Sequence, residues 1–202
     1  GDLDGQTNSG DTDAFISKYN PDGTKDWTKL LGTYESDYGS ALTTGSDGSI
    51  YITGWVEGDL DGQVNNGDLD VFVGKFNSDG DKIWTTLLGS SKDDEGGSIT
   101  IDSDNFIYIS GQTEGSLDGQ TNNGSKDAFI SKFNSNGEKI WTKLLGSTSN
   151  ESNYGITLNN DGSIYTTGIA DGNLYGESNS GDIDIFISKF SQVNPIEGNN
   201  SN

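Results

Sequence analysis

The residues of this chain whose types and spacing most suggest chemistry are aspartates in glycine-rich loops. Asp2, Asp4, Asp11 and Asp13 lie at short intervals near the start, and the pattern returns as Asp59, Asp61, Asp68 and Asp70. Calcium takes about six to eight oxygen ligands from carboxylates, amide carbonyls and the backbone, and glycines let the chain turn around an ion. The spacing therefore makes these aspartates candidate calcium ligands, with an expected affinity of about 10⁻⁴–10⁻³ M.

A second interpretation of the same loops is purely structural. Asp and Asn side chains often accept hydrogen bonds from their own backbone as Asx-turns. The loop aspartates are also not kept in every copy: Ser116 and Ser125 replace two of them in the third copy, and Tyr175 replaces another in the fourth. Turn structure is therefore favoured over an ion in every loop. An aspartate does recur just before the first strand of all four copies, where a turn cap explains it: Asp13, Asp70, Asp127 and Asp184.

Catalysis is not expected from this composition. The chain has no His and no Cys, so histidine-activated nucleophiles, thiol chemistry and the common zinc sites are excluded. A glycoside hydrolase needs a carboxylic acid whose pKa is raised by an apolar pocket. The loop acids lie among Gly, Asn and Ser, where water is plentiful, so a glycosidase is the least favoured function.

Net charge restricts the partners. A formal charge of -21 repels phosphate backbones and anionic lipid headgroups. Nucleic acid and membrane insertion are therefore not expected, and no run of residues is long and apolar enough to cross a bilayer.

The organisation of the chain is set by a repeat of 57 residues. The motif Gly-Asp-Leu-Asp-Gly-Gln opens the chain, and related motifs start at residues 58, 115 and 172. A period of this size indicates one supersecondary unit that buries its apolar faces against its neighbours. We therefore expect repeats over residues 1–190, followed by a polar tail or linker over 191–202.

Each copy reads as four strands and two hairpin turns. In the first copy the strands are expected at residues 13–19, 27–31, 40–44 and 49–53, with turns at Asp22-Gly23 and Asp47-Gly48. No helical periodicity is present. Strands apolar on both faces need cover on both faces, which stacked four-stranded antiparallel blades around an axis provide. The sequence thus predicts an all-β, β-propeller-type fold, and its length predicts a partial propeller of three blades plus one strand.

Aromatic residues recur in register and are expected in the core. Phe15, Phe72, Phe129 and Phe186 are assigned to packing between blades, and so are Trp27, Trp84 and Trp141. Trp55 differs, because Gln112 and Ile169 stand at the equivalent positions of later copies. The repeat does not need this tryptophan, so a surface contact is its expected role.

These motifs together resemble the bacterial seven-bladed β-propeller repeat family. The resemblance rests on the order Asp-Ala-Phe-Ile-Ser-Lys-Tyr, Asp-Gly, Trp-Thr-Lys-Leu-Leu-Gly and Asp-Gly-Ser-Ile-Tyr-Ile-Thr-Gly, kept at the same offsets from residue 1 to about 190. It implies a secreted or cell-surface protein without a catalytic motif, acting as a scaffold or binding module, with adhesion among its roles. The alternative is a calcium-dependent carbohydrate-binding module. Expected partners are a surface protein or glycan, or a second copy through self-association.

Overall fold

A computed structural model describes residues 2–191 of the chain. All regular elements in this range are strands, which confirms the all-β prediction, and no helix there is long and apolar enough to cross a membrane. The strands are β1 (Ala14–Tyr19), β2 (Lys25–Leu31), β3 (Asp37–Thr44), β4 (Ile50–Val56), β5 (Asp70–Phe76), β6 (Lys82–Leu88), β7 (Asp94–Ile101), β8 (Ile107–Thr113), β9 (Asp127–Phe133), β10 (Lys139–Leu145), β11 (Glu151–Leu158), β12 (Ile164–Ala170) and β13 (Asp184–Phe190).

The strands of residues 2–191 form four antiparallel sheets. Their orders are β1-β2, β3-β4-β5-β6, β7-β8-β9-β10 and β11-β12-β13. Four-stranded blades are thus confirmed, and the thirteen strands match the expected number. The expected grouping into three blades plus one strand is corrected, because two complete blades lie between a two-stranded and a three-stranded sheet.

The grouping differs from the expected one because each blade begins two strands later than the sequence repeat. The loop after β4 returns the chain to the same sheet, so that Val56 lies opposite Asp70 of β5. The segment after β2 instead leads into the next sheet. Periodicity fixes the length of a unit but not its starting point, so the sequence motif and the blade begin at different strands. The expected tail over 191–202 lies, apart from Ser191, outside the described residues.

The hairpin turns follow the turn chemistry of the sequence. Gly23 and Gly48 have φ of 84° and 80°, in the left-handed region that favours glycine. Asn105, which replaces a glycine in the second hairpin turn of the second copy, adopts φ of 63°. Asn is the residue that tolerates this conformation best after Gly, so the turn geometry is kept there.

Apolar layers between consecutive sheets hold the stack together. In the central layer Val71 and Val73 of one blade share a cluster with Phe129 and Phe133 of the next. All four side chains are buried. The repeat tryptophans are partly buried at the margins of these layers, and Trp84 packs edge-on against Tyr51 with ring centroids 6.4 Å apart. The core roles of Phe72, Phe129 and the repeat tryptophans are confirmed, whereas Phe15 in the two-stranded sheet is 57% exposed.

Candidate functional site

The first pair of acids in each predicted loop shapes a tight turn. Leu3 and Gln6 exchange backbone hydrogen bonds of 3.1 and 2.9 Å, and Asp4 between them has φ of 53°. The same turn forms around Asp61, also at φ of 53°. Two successive residues at positive φ define a type I′ turn, for which Asp-Gly is a preferred pair. The recurring Asp-Gly of the loop motif is therefore required by backbone geometry.

These turn aspartates bind the outermost strand of their blade. Asp61 accepts hydrogen bonds from Lys82 Nζ and Thr85 Oγ1, both at 2.5 Å. Partial burial opposes ionisation of Asp61, but these two hydrogen bonds outweigh it and lower its pKa. Asp4 is bound in the same way by Lys25 and Thr28, whose hydrogen bonds lower the pKa of its carboxyl. In the structure the hydrogen bonds of both carboxylates attach the loop to the outermost strand of the sheet.

The other exposed acids of the loops do not gather around one point. Asp2 and Asp59 accept backbone hydrogen bonds from Asn8 and Asn65, at 3.2 and 2.9 Å. Asp11 is exposed, and Asp68 lines an open acidic pocket with Glu35 and Glu57. Among residues 2–191 no group of three or more acids is placed to hold a metal ion. The calcium site stays a prediction from sequence.

That prediction has a direct thermal test. If the loops bind calcium only in the native state, calcium added to chelator-treated protein should raise Tm as its concentration passes the millimolar range. Asp2→Asn combined with Asp59→Asn should reduce the rise, because each change removes a ligand charge. Equal Tm values in chelator and in excess calcium would contradict the prediction.

The last acid of each loop caps the turn, and in the second and third loops it is fully buried. Asp13 Oδ2 accepts the backbone N–H of Ser9 at 2.9 Å, and Asp70 Oδ2 accepts that of Asn66 at 3.0 Å. Asp70 is fully buried, and this burial raises its pKa. The structure therefore shows the turn cap that the sequence favoured for these positions.

A second set of acids, which the sequence analysis missed, lies beside these caps. Asp94 is fully buried, and its Oδ2 accepts the backbone N–H of Ser90 at 2.6 Å. Oδ1 of Asp94 and Oδ1 of Asp70 are both buried without a hydrogen-bond partner among the described residues. Burial, with the neighbouring Asp70 charge, raises the pKa of Asp94 to about 6. Asp70 and Asp94 thus form a buried acid pair.

The first copy contains an equivalent pair. A Cβ built on Gly32 would lie 2.5 Å from Asp13 Oδ1 and 2.8 Å from Asp37 Oδ2, so the two carboxylates converge on this glycine. Burial raises the pKa of Asp37 to about 6. The signal was present in the sequence, since an acid recurs at the same offset in three copies: Asp37, Asp94 and Glu151.

A distinct pocket lies where the three complete or nearly complete sheets meet. The first strands of these sheets are β3, β7 and β11, and β7 contacts both of the others. Each carries a β-bulge at the equivalent place, next to Ser40, Gly97 and Tyr154 respectively. Bulges re-aim side chains and are common next to binding sites. The pocket has a volume of about 250 Å³ and is called the axial pocket here; its lining includes Ser40, Trp55, Glu95, Gly97, Gln112 and Tyr154.

Trp55 lies in the wall of the axial pocket and stacks on a neighbour. Its ring centroid is 4.3 Å from that of Tyr38, directly opposite on β3, and the planes meet at 28°. Tyr38 is 46% exposed and Tyr154 is 59% exposed. The sequence identified Trp55 as dispensable for the repeat, but only the folded chain brings it together with these two tyrosines.

Comparisons with known proteins agree with this architecture. A family model described as Beta-propeller repeat matches residues 83–118, which begin in β6 and contain β7 and β8. Regulatory protein FlaEY of Caulobacter vibrioides is 30% identical over 173 residues, 78% of this chain and 18% of the relative. The uncharacterized WD repeat-containing protein L264 of Acanthamoeba polyphaga mimivirus is 27% identical over 67% of this chain and 13% of its own length.

The chain spans less than a fifth of the length of either relative. The repeat match falls on a stretch that the structure folds into adjoining strands of two stacked blades. Sequence period, blade topology and family match agree, and the resemblance inferred from the motifs is confirmed: residues 83–118 match the β-propeller repeat, and the four-stranded blades of the structure fit a propeller-like repeat fold.

Proposed function

We propose that this array is a non-catalytic scaffold that works by packing further blades of the same kind against its two outer faces. The observation that carries the proposal is the exposure of β13. Ile185 and Ile187 are 80% and 78% exposed, whereas Val71 and Val73 at the equivalent positions of a complete blade are fully buried. The equivalent face is covered at all three junctions inside the array and is open on β13.

The face at the other end is open in a complementary way. Phe15 and Tyr19 are 57% and 61% exposed, although the equivalent Phe72 and Phe76 are buried. Inside the array each junction places aliphatic side chains of one blade against such a ring pair of the next. The β13 face therefore matches the Phe15 face, and the contact is head to tail.

The occupant of these faces is a blade of this repeat. In a preparation of the isolated chain, the available blade belongs to a second copy. Fully burying one Ile side chain contributes about 1.5–3 kcal/mol, so the two isoleucines with Phe15 and Tyr19 supply a sizeable driving force. Head-to-tail contacts close into rings or continue as open filaments.

Absence of catalysis is part of the proposal. The two acids whose pKa burial raises to about 6, Asp37 and Asp94, are fully buried, where a substrate has no hydrogen-bond access. The relative from Caulobacter is named a regulatory protein, which fits a scaffold. From the family resemblance we further propose a secreted or surface location with a role in adhesion, and immunolabelling of intact cells would test it.

Self-association provides the test. The native chain is expected to show a mass in sedimentation equilibrium that rises with concentration to a multiple of the monomer. Ile185→Thr combined with Ile187→Thr should shift this equilibrium to the monomer, because threonine keeps the β-branched shape but removes apolar surface. Val64→Thr with Ile83→Thr, also exposed but outside these faces, is the matched control. A native chain that stays monomeric at all concentrations would refute the proposal.

A further inference from the structure

The axial pocket is a place where the copies of the repeat differ in chemistry. Three sets of equivalent positions face it or border it, and none keeps one residue type. They are Tyr38, Glu95 and Ser152; Trp55, Gln112 and Ile169; and Ser40, Gly97 and Tyr154. A neighbouring position is the same in all three copies, because a glycine always lies opposite the Phe that packs between blades. These glycines are Gly54, Gly111 and Gly168. Packing alone would favour uniform residues here too, so the departures need another reason.

We propose that the axial pocket binds a neutral sugar ring of a glycan. The apolar side of the site is the stacked pair Trp55 and Tyr38, and Tyr154 of β11 also lines the pocket. Aromatic faces of this kind give large contact area and accept the C–H face of a flat ring. The site is independent of the outer faces through which the scaffold associates.

Polar groups at the rim complete the recognition. Glu95 and Gln112 lie directly opposite each other on β7 and β8, and both line the pocket. The Gln112 side chain makes no hydrogen bond within residues 2–191, so its donors and acceptor are available. A carboxylate and an amide next to aromatic rings suit vicinal hydroxyls, because small-molecule sites combine apolar walls with a few placed polar groups.

Charge and size limit the ligand class. The chain carries a net charge of -21, and Glu95 lies in the pocket itself, so sialic acid, uronic acids and phosphate esters are repelled. A volume of about 250 Å³ accommodates a single ring and leaves the rest of an oligosaccharide outside. The preferred ligand is therefore one neutral pyranose unit of a longer chain.

The residues at the bulges of β7 and β11 shape the axial pocket. Gly97 occupies the equivalent bulge of the middle blade, where a Cβ would lie 2.7 Å from the carbonyl oxygen of Asn153. A side chain there would push β11 away. Glycine thus keeps the pocket open beside Trp55 while tyrosine supplies its far wall.

The proposal can be tested by measuring binding of the full chain to a panel of neutral and acidic immobilised oligosaccharides. Calorimetry on the neutral oligosaccharide that binds most strongly then gives the affinity. Trp55→Gln places the residue of the second copy at this position, and Tyr154→Gly does the same at the bulge, so both changes suit the repeat. We expect Trp55→Gln to weaken binding about tenfold or more, and Tyr154→Gly to weaken it by a smaller factor. Binding should persist in chelator.

Tyr34→Gln is the matched control, since Tyr34 is 89% exposed and does not line the pocket. It should bind as the native chain does. Three results would overturn the proposal: no binding to any neutral oligosaccharide, a preference for acidic sugars, or native affinity in Trp55→Gln. None of them bears on the mass measurement that tests the scaffold, so the two proposals fail separately.

Discussion

Asp94→Asn is expected to stabilise the protein by about 2–3 kcal/mol near neutral pH and to reduce the pH dependence of its stability. Asp70 and Asp94 are both fully buried, and the Oδ1 atom of each lacks a hydrogen-bond partner among the described residues. Two adjacent buried carboxylates repel each other when both are ionised. An asparagine keeps an oxygen for the N–H of Ser90 and offers an N–H donor on its other side, while it removes one charge.

The direction of the pH dependence follows from the raised pKa of the acids. The native pKa of Asp94 is about 6 because of burial, against an ordinary value of 3.8 in an unfolded chain. Between these values the native state binds more protons than the unfolded state, so this contribution to stability is present below about pH 4 and is lost as pH rises to about 6. Asp37 adds a contribution of the same sign, since burial raises its pKa to about 6 as well.

Urea denaturation at several pH values between about 4.5 and 7.5 measures the effect. The native chain should lose unfolding free energy as pH rises through this window, and Asp94→Asn should lose less. Asp104→Asn removes the same charge at an exposed turn position and is the matched control. Equal pH profiles for the native chain and Asp94→Asn would show that the Asp70–Asp94 pair does not hold a proton.

Gly111→Ala is expected to destabilise the protein by about 3 kcal/mol. Gly111 of β8 lies opposite Phe129 of β9, and an added Cβ would be 2.0 Å from the carbonyl oxygen of Glu95 and 2.9 Å from the Phe129 ring. The first contact is with backbone at the bulge of β7, which cannot move without breaking strand pairing. The second would displace a fully buried ring from the layer between two blades.

Urea denaturation measures the effect. We expect Gly111→Ala to lower the free energy of unfolding without changing the dependence of that free energy on urea concentration. Gly181→Ala is the control, because a Cβ at Gly181 meets nothing within 4 Å. It should change stability by less than about 0.5 kcal/mol. A similar loss in both variants would mean that the close contact at Gly111 is not the cause.

Much of the fold could be predicted because its signals are local. Each Asp-Gly turn needs positive φ at one residue, and Gly23 and Gly48 adopt it. Strand alternation is likewise a property of neighbouring residues. The grouping of strands into sheets is not local, since β4 must choose between β5 and other partners that are far away along the chain. A repeat offers several equivalent partners, so the phase of the blades was wrong by two strands.

The candidate sites, like the fold, combine features that local sequence signals reveal with features that only the folded chain brings together. The sequence singled out Asp70 because an aspartate recurs at this position in every copy. It singled out Trp55 because the tryptophan does not recur in the other copies. It placed Asp70 among loop ligands because carboxylates along one loop suggest an ion, whereas in the fold this acid lies against Asp94 from the start of the next blade. Such a pair joins residues from different sheets, and no spacing rule within one loop reveals it.

By itself, the sequence determined the unit of this protein: its length, its four strands, its turns and the residue types that fill its layers. These follow from backbone propensity and from the alternation of apolar side chains, which act over a few residues. Only the tertiary structure decided which acids share a buried space and which aromatic rings face the axis. Those outcomes depend on how twisted sheets stack, because stacking brings together residues that belong to different copies of the repeat.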